Sequence, residues 1–568
     1  MTTLTLNGGA ALLRALRPEE PPFVFGVVGG KLGPFLQAVA GESAMRYLGA
    51  RHEGHAAMMA CALGAATGRL GVVVGECGSG GGNLVPGVAI AQANNIPMMV
   101  LTSNNQHAAS YPDRGMFAGM DTLSVLRPLT KWNAVVHDGR RIPELVHEAL
   151  RAAFTGRPGP VHLDVPQDVM RGSFTFEERA LPTQVGAYRP TQGPAADPAA
   201  IATAARRLLA AERPLLLAGG GAIAAAAVEP LRALATALDA PIAPTHNGVG
   251  AIASDDPRYL GLGAVIGGPA MRQALCEADV ILAVGCRFSS WLWDGDGTPL
   301  GAQARLIQID VDPQRLGASL PLDVGLCADA ATALPALLAA VRAGRATTPR
   351  RDWLARLLER HAAYRRELAA LAAEDASPMH PAALAAAVGR ALPEDALAVY
   401  DGGHTTFWSN DFTPVHAPRT RCNEPGMSQL GYGLPAAIAL QLAHPGRPVF
   451  NLTGDGAFGF SVQELDTARR HRLPVINVIH NNADWGIIRF GYRRAGNPLA
   501  DDLAGTDYAA IARGFGCHGE TVTQVAEVAP AIERALASGL PAVLDCRVRF
   551  EPHPALPNFA QMSGARAG

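Results

Sequence analysis

Apolar residues along this chain gather in short dense runs, each preceded by an Ala-rich or charged stretch with helical spacing. "LGVVVG", "PMMVLTS" and "GPVHLDVP" come first, then "PLLLAGGGA", "DVILAVG" and "RLIQIDVD", then "ALAVYDGG", "PVFNLTGDG", "PVINVIHNN" and "PAVLDCRV". Runs this short, bounded by Gly, Pro and Asp, predict strands, and their alternation with helices predicts parallel sheets. The expected fold is therefore α/β, with three doubly wound parallel-sheet domains. Pro-rich or charged connectors set the boundaries: a first domain over 1–172, a linker over 173–197, a central domain over 198–342, a helical linker over 343–377, a third domain over 378–550 and a tail over 551–568. The first and third blocks have similar strand counts, as two versions of one fold would.

One stretch carries chemistry in its geometry. "GDGAFGFSVQELDTARRHRLPVINVIHNN" starts at Gly454 and ends at Asn482. Its first strand ends in Gly454, Asp455 and Gly456; Val462, Leu465 and Ala468 follow at helical spacing; a second strand ends in Asn481 and Asn482. A strand, helix, strand unit of this length is a right-handed crossover between parallel strands, so Asp455 and the two asparagines finish at one sheet edge. That edge is where doubly wound sheets bind ligands, and free N–H groups at a helix start favour phosphate oxygens. One carboxylate oxygen from Asp455 and one amide oxygen from Asn482 suit magnesium, if phosphate oxygens, a main-chain carbonyl and water complete its octahedron. A Gly-Asp-Gly turn taken singly is most often only a turn.

Composition narrows the function classes. The 568 residues are 48% hydrophobic and 17% charged, and 48 basic against 50 acidic side chains leave a formal net charge of −2 with no basic run. Nucleic acid and anionic membrane are poor partners for such a surface. The eight cysteines show no CxxC pair and sit mostly among Ala, Gly and Val, which predicts buried thiols in a reducing compartment. No apolar run reaches spanning length uninterrupted, and the first residues lack the pattern of a signal peptide, so a cytoplasmic location is expected.

Asn482 follows Asp455 by 27 positions, with a strand before each and a helix between. In this the stretch resembles the metal and diphosphate motif of thiamine diphosphate enzymes of the acetolactate synthase, benzoylformate decarboxylase and pyruvate decarboxylase superfamily. The resemblance covers nearly the whole chain as a pyrimidine-binding, a central and a diphosphate-binding domain. It implies Asp455, Asn482 and the carbonyl of Asp484 as Mg2+ ligands, with Gly454, Gly456 and Ala457 along the cofactor. "ARHEGHAAMMACALGAATGRLGVVVGECGSGGGN" resembles the segment that marks the catalytic glutamate, here Glu53. Glu53 would hydrogen-bond the cofactor's pyrimidine ring. Leu430 in "EPGMSQLGYGLPAA" falls where a bulky side chain wedges the cofactor's two rings apart, and the carbonyl of Ser428 would accept its exocyclic amine, although the family usually has Gly there. His404 and Thr405 match diphosphate-contacting positions. The chemistry implied is loss of carbon dioxide from a 2-oxo acid, followed by release of an aldehyde or joining to a carbonyl acceptor. The family builds each site from two chains, which implies a homodimer or homotetramer.

Departures from the pattern bear on the substrate. The first domain has "TSNNQHAASYPDRGMF", with only His107 where decarboxylases often carry a His pair. Where benzoylformate decarboxylases have a catalytic His, the letters are "GECGSG" and the residue is Glu76. A carboxylate there would repel a substrate carboxylate unless protonated or paired; otherwise Glu76 faces away and caps the Gly-rich loop. The central domain, with "GGGAIA", "GCRFSSW" and "IQIDVDP", resembles the domain that holds FAD in acetolactate synthases, though relatives keep these letters while binding ADP, parts of coenzyme A or nothing. The leading expectation is an acetolactate synthase-like enzyme on small 2-oxo acids. A benzoylformate decarboxylase-like enzyme, a 2-hydroxyacyl-coenzyme A lyase and a catalytically silent paralogue are its rivals.

Overall fold

The computed structural model describes residues 2–263, 267–292, 300–301, 303–344, 350–494, 496 and 502–557. Of the expected tail, 558–568 lie outside the described residues, as do 345–349 of the helical linker. The three sheets expected from the sequence are present, with six, five and six strands.

In the first sheet the strands lie in the order Arg46–Gly49, Phe23–Gly26, Gly71–Gly75, Met98–Asn104, Pro160–Pro166 and Trp132–Val135, all parallel. The central sheet runs Ile242–Pro244, Pro214–Ala218, Val280–Val284, Arg305–Asp310 and Val324–Cys327, again parallel. The third runs Arg421–Asn423, Leu397–Asp401, Val449–Gly454, Ile476–Asn481, Ala542–Arg547 and His518–Val522. Interior strands such as Gly71–Gly75 and Val280–Val284 are buried along their whole length, as strands covered by helices on both faces must be.

The chain divides into two compact units, and the division does not follow the three sheets. One unit holds residues 1–192, 424–449 and 459–475; the other holds the remainder. In the first unit the segment expected as a linker is partly structural. Strand Ser173–Glu177 pairs antiparallel with Thr3–Asn7, Tyr188 is buried in the core, and Arg189 pairs with Glu19 at 2.7 Å. Helix Glu53–Thr67 runs through this unit and is apolar nearly all round, so its every face is covered. Small residues permit the close approach: a Cβ on Gly87 would lie 2.6 Å from the Ala57 carbonyl carbon.

In the second unit the charged stretch expected to be helical is helix Arg351–Ala372. It buries Trp353 and Leu357 in the central core, and Tyr364 and Leu368 against Ala382, Ala385 and Trp408. Arg350, 4% exposed, precedes it and donates to the carbonyls of Ala211, Leu238, Leu208 and Leu209 at 2.6–2.9 Å. The eight cysteines are free thiols; six are buried as expected, while Cys276 and Cys327 are exposed. Among the described residues no helix is long and apolar enough to cross a membrane.

Candidate active site

The crossover geometry read from the Gly-Asp-Gly stretch is present in the second unit. Strands Val449–Gly454 and Ile476–Asn481 are parallel neighbours, with Gly454 opposite His480. Asp455 therefore sits beside the chain that leaves the second strand, and the nearby main-chain N–H groups of Gly456, Ala483 and Asp484 favour its ionised form. Only 4% of Asp455 is exposed, and burial pushes its carboxyl up to about 6 against those donors. Tyr508 fixes the same turn by donating its hydroxyl to the Asp455 carbonyl at 2.8 Å.

The two asparagines divide. Asn481 is buried and donates to the Thr506 carbonyl at 3.1 Å and to Asp545 Oδ1 at 2.8 Å, which anchors the strand end. Asn482 is half-buried one position further out. Asp484 spends one carboxylate oxygen on Arg489 at 2.8 Å, and its other oxygen is buried without a partner among the hydrogen bonds described. Close approach favours glycine in the turn: a Cβ on Gly456 would lie 2.6 Å from the Trp485 ring, and one on Gly454 would be in tight contact at 3.3 Å from Thr405 Oγ1. Gly454, Thr405, Ala457 and Gly402, whose φ is +87°, thus line one turn.

The His404 ring is held by its protein neighbours. Its Nε2 accepts from Trp408 Nε1 and from the His553 main chain, both at 3.1 Å. Burial holds the imidazole down to about 3, so it is neutral. The helix expected after Gly456 is broken in two, Asp455–Gly459 and Glu464–Arg470.

The donor set fits a hard cation that shares a diphosphate: one buried carboxylate, one neutral amide and main-chain groups. Among the described residues no three His, Cys, Asp or Glu side chains converge on a metal site, so such an ion would depend on oxygens from a bound anion.

The first unit holds the other expected residues. Glu53 opens helix Glu53–Thr67, where the N-terminal dipole favours a carboxylate, and Asn83 donates to its Oε2 at 3.0 Å. Gly80 separates two acids: a Cβ there would lie 3.4 Å from Glu53 Oε1 and 3.6 Å from Glu76 Cβ. Glu76 Oε1 lies 3.4 Å from Lys31 Nζ and its Oε2 accepts from the Lys31 main chain at 3.4 Å, so the carboxylate is paired. Ser428 is exposed with φ +54°, the left-handed backbone that explains why Gly is usual at such a position. Leu430 is half-buried, next to Gly431, whose φ is +86° and whose Cβ would lie 2.6 Å from Phe460 Cβ.

Sequence reasoning missed the acids that hold these segments. Glu424 accepts from the main chains of Met427 and Gln429 at 2.7 and 2.9 Å and from Asn94 Nδ2 at 2.9 Å, fixing the turn that leads to Leu430. Glu464 is fully buried and accepts from the Arg51 N–H at 3.1 Å, from Thr467 Oγ1 at 2.6 Å, and bonds His55 Nδ1 at 2.9 Å, which pins the entry to Glu53. Both stand inside the quoted stretches, but neither is among the positions to which the resemblance gives a role. In "QELDTARR" Glu464 reads as one charge on a polar helix face.

In the central sheet the three glycines from Gly219 are explained by packing. A Cβ on Gly221 would lie 2.7 Å from the Gly285 Cα, and one on Gly220 would lie 2.9 Å from Asn247 Cβ.

Three parallel sheets with a buried acid at the edge of the third and a helix-start glutamate in the first define a class, and comparison with known proteins agrees. The thiamine pyrophosphate enzyme N-terminal TPP binding domain matches residues 6–125, the central domain 201–337 and the C-terminal TPP binding domain 401–546. The chain belongs to the thiamine pyrophosphate enzyme family. It is 31% identical to a probable acetolactate synthase large subunit of Methanocaldococcus jannaschii, over 97% of this chain and 93% of that protein. The acetolactate synthase isozyme 2 large subunit of Escherichia coli is 30% identical over 95% of each chain, and the large subunit of Parasynechococcus marenigrum is 32% identical over 96% of this chain and 88% of its own.

Proposed function

We propose that this protein is a thiamine diphosphate- and Mg2+-dependent enzyme that decarboxylates small 2-oxo acids and joins the remaining fragment to a carbonyl acceptor, as an acetolactate synthase does. The observation that carries this reading is the buried Asp455 carboxylate at the end of strand Val449–Gly454, beside the turn that leaves its parallel neighbour Ile476–Asn481. A buried carboxyl lifted to about 6 has use for a cation, and relatives named acetolactate synthase align over nearly the full length.

In this reading Asp455, Asn482 and the Asp484 carbonyl hold Mg2+, and the turn of Gly454, Gly456, Ala457 and Thr405 takes the diphosphate. Bound thiamine diphosphate supplies an electron sink for the carbon that loses carbon dioxide. Glu53 exchanges a proton with the pyrimidine ring nitrogen, Asn83 orients its carboxylate, and Leu430 with the Ser428 carbonyl fixes the cofactor's bend. Glu76 faces the substrate side and moves a proton at the acceptor. A homodimer or homotetramer in a reducing cytoplasm goes with the reading, since the family builds its sites across two chains. FAD or ADP in the central domain stays possible but has no support beyond the resemblance.

The test is Glu53→Gln. The amide cannot exchange the proton, so hydrogen–deuterium exchange at thiazolium C2 of the bound cofactor should slow by about two to four powers of ten, while calorimetry still finds the cofactor bound. Wild-type exchange in the variant would remove Glu53 from the chemistry. A panel of 2-oxo acids with and without an aldehyde acceptor then separates carboligation from simple release of aldehyde; Leu430, the residue shared with benzoylformate decarboxylases, is the reason to look for the latter.

A further inference from the structure

Lys31 stands at the same sheet edge as Glu53 and Glu76 and has no part in the mechanism above. It follows strand Phe23–Gly26, which pairs with Gly71–Gly75, the strand that leads into Glu76. Parallel pairing thus delivers both residues to one end of the sheet. Lys31 is 8% exposed, with its Nζ 3.4 Å from Glu76 Oε1, 3.1 Å from Cys77 Sγ and 5.7 Å from the centre of the Phe117 ring. Room for the pair comes from Gly29, where a Cβ would lie 2.8 Å from Glu76 Cβ.

An ammonium so enclosed needs a compensating group. Burial works against its charge, but Cys77 and Glu76 outweigh it and hold the amine above its ordinary value. Seen from Glu76 the need is reciprocal. Glu53 Oε1 and Glu76 Cβ both lie close to Gly80, so a Glu76 left unpaired would be a second acid near Glu53 and would repel an anion bound beside them.

We infer that Lys31 is a positioning residue for the substrate: it cancels the charge of Glu76, so that the carboxylate of a 2-oxo acid meets an electrically neutral wall. The inference rests on the reading of the site as a thiamine diphosphate site for 2-oxo acids. It differs from a direct grip on the substrate, because Lys31 acts through Glu76 and its loss is repaired when the Glu76 charge is also removed.

The experiment compares Lys31→Met, Lys31→Arg, Glu76→Gln and the double variant K31M/E76Q in the cofactor-loaded enzyme. Two constants are read: KM for the 2-oxo acid, and the inhibition constant of the uncharged aldehyde with the same side chain. In K31M the first should rise about 10- to 100-fold, the range for a like charge left uncompensated several ångströms from the substrate carboxylate, and the second should stay within about threefold. K31R should stay near wild type, and K31M/E76Q should return to the KM of E76Q alone. Equal weakening of charged and uncharged ligands would mark Lys31 as merely structural and overturn the inference, as would a double variant no better than K31M. If K31M does not fold, Lys31→Gln with and without Glu76→Gln makes the same comparison. A wild-type protein that binds no thiamine diphosphate overturns the functional reading and this inference with it, and that failure is visible before any variant is made.

Discussion

Asp455 concentrates the site's electrostatics in one residue. The ordinary carboxyl value is 3.8 and burial lifts it to about 6, so the cation-free fold binds this proton more tightly than the unfolded chain does. The sign follows: without a cation, folding gains stability from this group as pH falls from about 6 toward 3.8, by up to about 3 kcal/mol. A cation binds only the ionised form. Mg2+ affinity should therefore be flat above about pH 6 and fall up to about tenfold per unit below it, measured by titration of thiamine diphosphate and Mg2+ across that range. Asp455→Ala should weaken cofactor binding by at least about 100-fold, because the remaining ligands are neutral and cannot offset the diphosphate. Unchanged calorimetric affinity would return the Gly-Asp-Gly stretch to an ordinary turn. Lys31 marks the limit of reading residues from letters: a lysine after "GVVGG" carries no sign that a glutamate 45 positions on will lie 3.4 Å from it.

Secondary-structure elements explain which strands were legible. The interior strands of each sheet, apart from the short Phe23–Gly26, stand out as apolar runs because they are buried on both faces. Edge strands such as Arg46–Gly49, Val324–Cys327 and His518–Val522 carry exposed positions and do not stand out from loops. Helices show the same limit. Leu465 and Ala468 are buried as their spacing predicts, yet between them and Gly459 the helix breaks, and Glu464 turns inward to the loop before Glu53. Glu464→Leu should cost about 2–4 kcal/mol in denaturant unfolding, since it strands a buried N–H, an imidazole and a hydroxyl. Glu464→Gln, which keeps an acceptor oxygen, should cost less. A leucine variant as stable as wild type would mean that water replaces the carboxylate there.

At the scale of the whole molecule the sequence order and the compact units differ. Residues 424–449 and 459–475 are read in sequence as part of the third domain, but they fold with the first, where helix Gly433–Ala443 packs on helix Glu53–Thr67. The reading that sites are shared between two chains makes a prediction for the assembly. Glu53→Gln and Asp455→Ala chains, each inactive alone, should on mixing and subunit exchange recover about a quarter of wild-type activity, because a mixed dimer regains one intact site in two. Light scattering should show at least a dimer. No recovery in demonstrated mixed dimers would mean that each chain completes its own site.

The sequence by itself determined the three parallel sheets, the turn around Asp455 and the helix start at Glu53. These depend on local patterns, apolar runs and glycines at strand ends, which are written in consecutive letters. Only the tertiary structure decided that Glu76 is paired with Lys31, that His404 is locked between Trp408 and the His553 main chain, and that Glu464 and Glu424 brace the segments around Glu53 and Leu430. Each of these joins residues on different elements, and a charge in a sequence does not say what will be packed against it once its element is docked.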